Sequence, residues 1–205
     1  MTSKGRYSIR SYYLLIFITV NLLFCGSEVM NERSIIFMSD GKTPANFAKV
    51  QLVPVDYIPA KDSDPLRIHE TYTDAKGKYF FDEIPPGLYN LIARKDSLAS
   101  FLDSVTINTS SDLPTDTLAL TTSFSARVLL QPNHDPRTVI IQVLGTTIYY
   151  ANVDSTGYFT LPDMPEGFYQ IRLETSLPSY TPTFYNLILP KQDTVLPQIR
   201  MIYTG

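Results

Sequence analysis

Apolar positions recur with a period of two along most of the chain, between stretches of Pro, Gly, Asp and Asn. That spacing predicts short strands rather than helices. Residues 34–38 read as a short apolar strand, closed by the turn signal Asp40-Gly41. Over residues 47–53, Val50 and Leu52 share one face while Lys49 and Gln51 take the other, so a one-sided, half-buried strand is expected. Residues 54–66 are rich in Pro, Asp and Lys and have no period, which predicts a long loop. Strands are then expected at 67–73, through Tyr79 and Phe81, through Tyr89, Leu91 and Ala93, at 98–106 and at 118–120. A second set is expected at 123–130, 138–144, 146–153, through Phe159 and Leu161, through Tyr169, Ile171 and Leu173, at 180–189 and at 194–203.

The two sets share one motif. Residues 74–93 read DAKGKYFFDEIPPGLYNLIA and residues 154–173 read DSTGYFTLPDMPEGFYQIRL, so Asp74, Gly77, Pro85, Gly87 and Tyr89 each recur 80 positions later. A repeat of this length indicates two homologous domains, at 34–121 and 122–205. In both copies the Asp and Gly are turn residues, and the large apolar residues sit at fixed period-two positions that a core tolerates exchanging. The copies differ upstream. Aligning Val50-Gln51-Leu52 with Ile141-Gln142-Val143 gives an offset of 91, so the first domain carries 11 more residues, placed in the 54–66 loop. Added length in a surface loop costs little stability, which makes this loop the place where binding specificity is expected. Tyr57, Lys61, Asp62, Asp64 and Arg67 are its candidate ligand residues, with a neutral insertion as the plain alternative.

Composition adds the compartment. Lys4, Arg6 and Arg10 precede an apolar run at 12–24 that is too short to span a bilayer comfortably but suits the h-region of a signal peptide. The run ends at Cys25, the only cysteine, which excludes an intramolecular disulfide. This segment resembles a bacterial lipoprotein signal: residues 1–24 would be removed, Cys25 acylated, and 25–33 left as a linker. Phe24 departs from the small residue usual before the cysteine. An ordinary signal peptide cut elsewhere and an uncleaved short anchor remain alternatives. Ser27, rather than Asp, resembles the outer-membrane-directed class of Gram-negative lipoproteins. Without the leader, 14 basic residues face 20 acidic ones, a net charge of −6 that gives nucleic-acid binding little support.

The pattern A-x-V-x-L at Ala48, Val50 and Leu52, then Thr73, Asp74, Gly77, Tyr79 and Phe81, then Pro85-Pro86-Gly87, Tyr89 and Leu91 resembles the carboxypeptidase regulatory-like family. Asp154, Gly157, Phe159, Leu161, Pro165, Gly167, Tyr169 and Ile171 carry the same likeness in the second copy. The resemblance implies an all-β chain of two tandem prealbumin-like (transthyretin-like) Greek-key β-sandwiches of about seven strands each. It also implies accessory modules without chemistry of their own, with carbohydrate binding by association.

The only histidines, His69 and His134, have acidic neighbours at i+1, which face the opposite way on a strand. An isopeptide crosslink would need a carboxylate where Leu173 and Ala93 stand. The Asn108-Thr109-Ser110 sequon reads as loop chemistry. Tyr57, Tyr149, Tyr150, Tyr180 and Tyr185 would make a sugar platform if exposed in one plane, and otherwise cover sandwich faces. The expectation is therefore a non-enzymatic, extracytoplasmic, outer-membrane lipoprotein with no cofactor or metal. It would be held on a lipid bilayer through acylated Cys25, with a surface protein or a polysaccharide as its partner; a carbohydrate-binding role in adhesion or uptake is the alternative.

Overall fold

The alternating segments form strands because their apolar positions can be buried on one side of a pleated sheet. The structure is a computed structural model that describes residues 34–59, 61, 67–108, 112–147 and 150–205. The leader, Cys25, the 25–33 linker, Asp62 and Asp64 lie outside the described residues. Among the described residues there is no α-helix; Pro136–Thr138 form a 3-10 turn.

The first seven strands are β1 (Ile36–Phe37), β2 (Lys49–Pro54), β3 (His69–Tyr72), β4 (Gly87–Lys95), β5 (Leu98–Ile107), β6 (Asp116–Thr117) and β7 (Ala119–Leu120). Five of them make an antiparallel sheet in the order β3-β2-β4-β5-β7. The parallel pair β1–β6 faces it, and Ile36, Val50, Leu52, Tyr79, Tyr89, Leu91 and Leu118 fill the space between.

The remaining strands are β8 (Thr122–Leu129), β9 (Val139–Val143), β10 (Tyr150–Asn152), β11 (Tyr158–Met164), β12 (Gly167–Thr175), β13 (Thr183–Leu189), β14 (Thr194–Val195) and β15 (Ile199–Arg200). One layer is the antiparallel sheet β10-β9-β12-β13. The other is β11-β8-β14, with β15 also running parallel to β8. Phe124, Phe159, Leu161, Tyr169, Ile171 and Leu173 lie between them. The chain is thus all-β with two sandwich-like halves, as the resemblance implied for the fold.

Both motif copies build the same corner. The Asp74 carboxylate accepts the Lys76 and Lys78 N–H groups at 2.7 and 2.9 Å, and Asp154 accepts those of Thr156 and Tyr158 at 2.7 and 2.9 Å. Gly77 and Gly157 sit at φ 73° and 85°. A Cβ there would come within 2.5 Å of the Ile36 or Val128 carbonyl oxygen, so only glycine fits. Tyr89 donates to the Pro85 carbonyl at 3.0 Å and Tyr169 to the Pro165 carbonyl at 2.9 Å.

Three expectations are corrected. The stretch through Tyr79 and Phe81 is extended but joins a neighbour only through the Ile35–Lys78 bridge, because β1 is two residues long and Glu83 turns away at φ 48°. The expected final strand breaks into β14 and β15 at Pro197, which cannot donate to a ladder. Most importantly, β2 and β4 are not one-sided. Gln51 and Asn90 are buried, and Val53, Ile92 and Phe101 belong to the core of the second half.

Candidate ligand cleft and the seam between the halves

The outer face of the five-stranded sheet, carrying Gln51, Val53, Asn90, Ile92 and Phe101, is where the two halves meet; Arg33–Gly205 form one compact unit. Phe101 stacks on Tyr169 with ring centroids 4.4 Å apart and planes at 28°. The Asn90 amide donates to the Gly145 carbonyl at 3.1 Å, and its oxygen accepts the Ser104 N–H at 3.0 Å, so a buried polar side chain is satisfied from both halves. Gly145 lies at φ 67°, and a Cβ there would fall 2.1 Å from the Asn90 nitrogen.

The segment that only the first half possesses completes this seam. Tyr57 is 8% exposed and packs in the core of the second half, and its carbonyl accepts the Gly145 N–H at 2.8 Å. The Pro59 carbonyl accepts from the Gln142 amide at 2.7 Å, and the Gln142 oxygen accepts from Arg172 at 2.6 Å. Arg172, 4% exposed, also pairs with Glu174, which Lys61 reaches at 3.8 Å. The Arg172 bond, then burial, then the charges of Arg172 and Lys61 act on the Glu174 carboxyl, and the net effect holds it below its ordinary range. A buried guanidinium is tolerated because it is paired and hydrogen-bonded.

Of the loop residues singled out from sequence, Tyr57 and Lys61 are therefore engaged with the second half. Arg67 pairs with Asp56 at 2.5 Å on the far side of the loop. There, Pro54, Val55, Asp56, Arg67, His69, Pro85, Leu88 and Tyr89 enclose an open cleft of about 500 Å³. Its floor is Tyr89, whose ring meets His69 edge-on at 5.9 Å and whose hydroxyl burial pushes up in pKa against a weaker opposing pull from Arg67. Next to it, Glu70 is held below its ordinary range, chiefly by a bond from Lys49 at 2.9 Å. The cleft combines an ion-paired guanidinium and carboxylate, an imidazole and the Tyr89 ring, a set suited to a small ligand bearing several hydroxyls.

Of the two alternatives for the tyrosines, the described ones fit covering of sandwich faces rather than an exposed sugar platform. Tyr57 and Tyr180 are buried and Tyr185 is half-buried; Tyr149 lies outside the described residues. Tyr180 instead meets His134, with its hydroxyl 2.8 Å from Nδ1, and Tyr203 at 5.3 Å between ring centroids. Among the described residues no group of three His, Cys, Asp or Glu side chains is placed to hold a metal ion, and no helix is long and apolar enough to cross a membrane. Sequence reasoning missed Asn90, Phe101, Gln142, Gly145 and Arg172 as seam residues. The signal available was the run of adjacent apolar residues Leu52-Val53 and Leu91-Ile92, which breaks period-two alternation and marks strands buried on both faces.

No protein-family profile and no curated sequence matches the chain. Solved structures overlap with it at low similarity. The minor pilin GBS52 of Streptococcus agalactiae is 15% identical with a TM-score of 0.34, over 80% of this chain and 86% of that one. The major pilin BcpA of Bacillus cereus is 13% identical with a TM-score of 0.31, over 80% and 61%. A cohesin–X-dockerin complex of Acetivibrio cellulolyticus is 20% identical with a TM-score of 0.34, covering 40% of this chain; the match spans 58% of the length of that chain. Overlaps of this size carry no functional argument, and the fold description rests on this chain's own strand order.

Proposed function

We propose that this chain is an extracytoplasmic, non-catalytic binding and structural module, anchored to the outer membrane through acylated Cys25. In this reading residues 34–121 and 122–205 are two homologous domains of the carboxypeptidase regulatory-like type. The observation that carries it is the seam: the segment in which the copies differ, around Tyr57 and Pro59, is spent on locking one half to the other. Two sandwiches joined by a shared core are suited to presenting a surface at a distance from a membrane. The anchor is tested by Cys25→Ser in the full-length protein. Loss of membrane fractionation and a shift in gel mobility are expected; an unchanged distribution rejects the anchor.

A second reading, polysaccharide binding, is supported by the cleft at Arg67, His69 and Tyr89. It is tested by titrating the protein with uronic-acid and neutral oligosaccharides and following the His69 ring resonances by NMR. Saturable shifts that vanish in Arg67→Ala support it, and no shift at millimolar sugar rejects it.

A further inference from the structure

Among the described residues, the open sheet edges differ greatly in length. β3 offers four residues including Glu70, β10 three, and β7 and β14 two each, while β11, seven residues long, is broken near its end by Pro162 and by Asp163 at φ 55°; short, charged or proline-broken edges are how sheets guard against edge-to-edge pairing. β13 is the exception. Thr183–Leu189, TFYNLIL, is a seven-residue edge strand with no charged residue, and β12 is its only strand neighbour in the four-stranded sheet. Phe184 and Ile188 point outward from it at 56% and 77% exposure, beside Phe168, the cross-strand partner of Ile188.

We propose that β13 pairs antiparallel with β13 of a second copy of this chain, about a two-fold axis through Asn186. The strand's own sequence selects this occupant and register. Pro182 and Pro190 stand four residues before and after Asn186, so in the centred register each proline faces the other at the end of the shared ladder. Any slip brings a proline, which has no N–H to donate, opposite a ladder position. The centred register places Phe184 against Ile188 of the second copy on the outer face, an aromatic–β-branched pair of the kind that stabilises sheets. It places Asn186 against Asn186, whose amides can donate to and accept from one another, and Tyr185 against Leu187 beside the core. The two-fold axis makes these contacts occur twice, and Phe168, Ile188 and the second copy's Phe184 then form one continuous apolar row. The strand itself carries no charge, and Lys191, just beyond the edge, is paired with Glu166 at 3.0 Å.

Opposed residues of an antiparallel pair lie about 4.5–5.5 Å apart at Cα, within disulfide range, whereas residues displaced by four positions lie roughly 13 Å apart. The test is oxidative crosslinking of the full-length protein in membranes, with the wild-type chain, which keeps Cys25, as background and Ser155→Cys, in an exposed turn, as control. Asn186→Cys should shift to twice the chain mass on a non-reducing gel. Phe184→Cys alone and Ile188→Cys alone should stay at background, and co-expressing the two should restore the shift. Phe184→Lys/Ile188→Lys, altering only exposed side chains, should return the detergent-extracted dimer to monomer mass. Crosslinking equal at all positions, none above Ser155→Cys, or attachment of Asn186→Cys to a different protein each overturns pairing with a second copy.

Discussion

The two copies of the motif share a corner and differ in what they do with the surface beyond it. Asp74 and Asp154 cap the same turn, and Tyr89 and Tyr169 close the same bond to a proline carbonyl. The strand after the turn, however, is a seven-residue ladder partner of β8 in the second copy and almost unpaired in the first. The next strand inverts that contrast. β4 is buried on both faces because the second half covers Asn90 and Ile92, whereas on β12 Phe168 and Gln170 stay exposed and only Arg172 is covered. Duplicated sequence thus repeats the local hydrogen bonding of a corner, while the partner lying on the outer face is set by residues outside the repeat.

The largest expected effect comes from cutting the seam. Phe101→Ala removes a nearly buried ring stacked on Tyr169 and should cost about 3–5 kcal/mol in urea unfolding. A much smaller loss would mean that the first half's sheet does not depend on the second.

The shared corner gives the next effect. Tyr169→Phe orphans a buried carbonyl and should cost about 1–3 kcal/mol, while Tyr89→Phe, beside the open cleft, should cost about 1 kcal/mol or less. Equal losses would erase the distinction between a covered and an uncovered corner.

The smallest effect distinguishes equivalent positions on the parallel pairs. Ile36, whose N–H bonds the Gly77 carbonyl, faces Asp116; Val128, whose N–H bonds the Gly157 carbonyl, faces Ile199. Burial, opposed by the nearby Ser100 hydroxyl and by the bond from the Thr117 N–H at 2.8 Å, holds the Asp116 carboxyl above its usual 3.8, with the Glu166 charge adding to the rise. The folded chain therefore binds that proton more tightly than the unfolded one, and stability falls as pH rises from about 3.8 through the folded value. Asp116→Asn should raise the Tm at pH 7 and lose that advantage near pH 3; a lowered Tm at pH 7 would show the charge to be stabilising.

Much of this was readable in the sequence because it is local. Asp-x-x-Gly turns, the Tyr89 and Tyr169 positions and most strands follow from residue type and period over a few positions. The seam was harder to read because its buried polar members, Gln51, Asn90, Gln142 and Arg172, look like solvent-facing residues, and their partners are far away in sequence. The loop at 54–66 illustrates this: its Pro, Asp and Lys content marks a surface loop, yet Tyr57 enters a core supplied by residues beyond 120.

The central claim, that both halves form one cooperative body, is tested most directly by native-state hydrogen exchange on Leu91→Ala. Leu91 is fully buried in the first core and is not part of the second. If the seam couples the halves, the amides of Val139–Val143 and Gly167–Thr175 should lose protection by the same factor as those of Lys49–Pro54. Loss confined to the first half, with the second unchanged, would contradict the account.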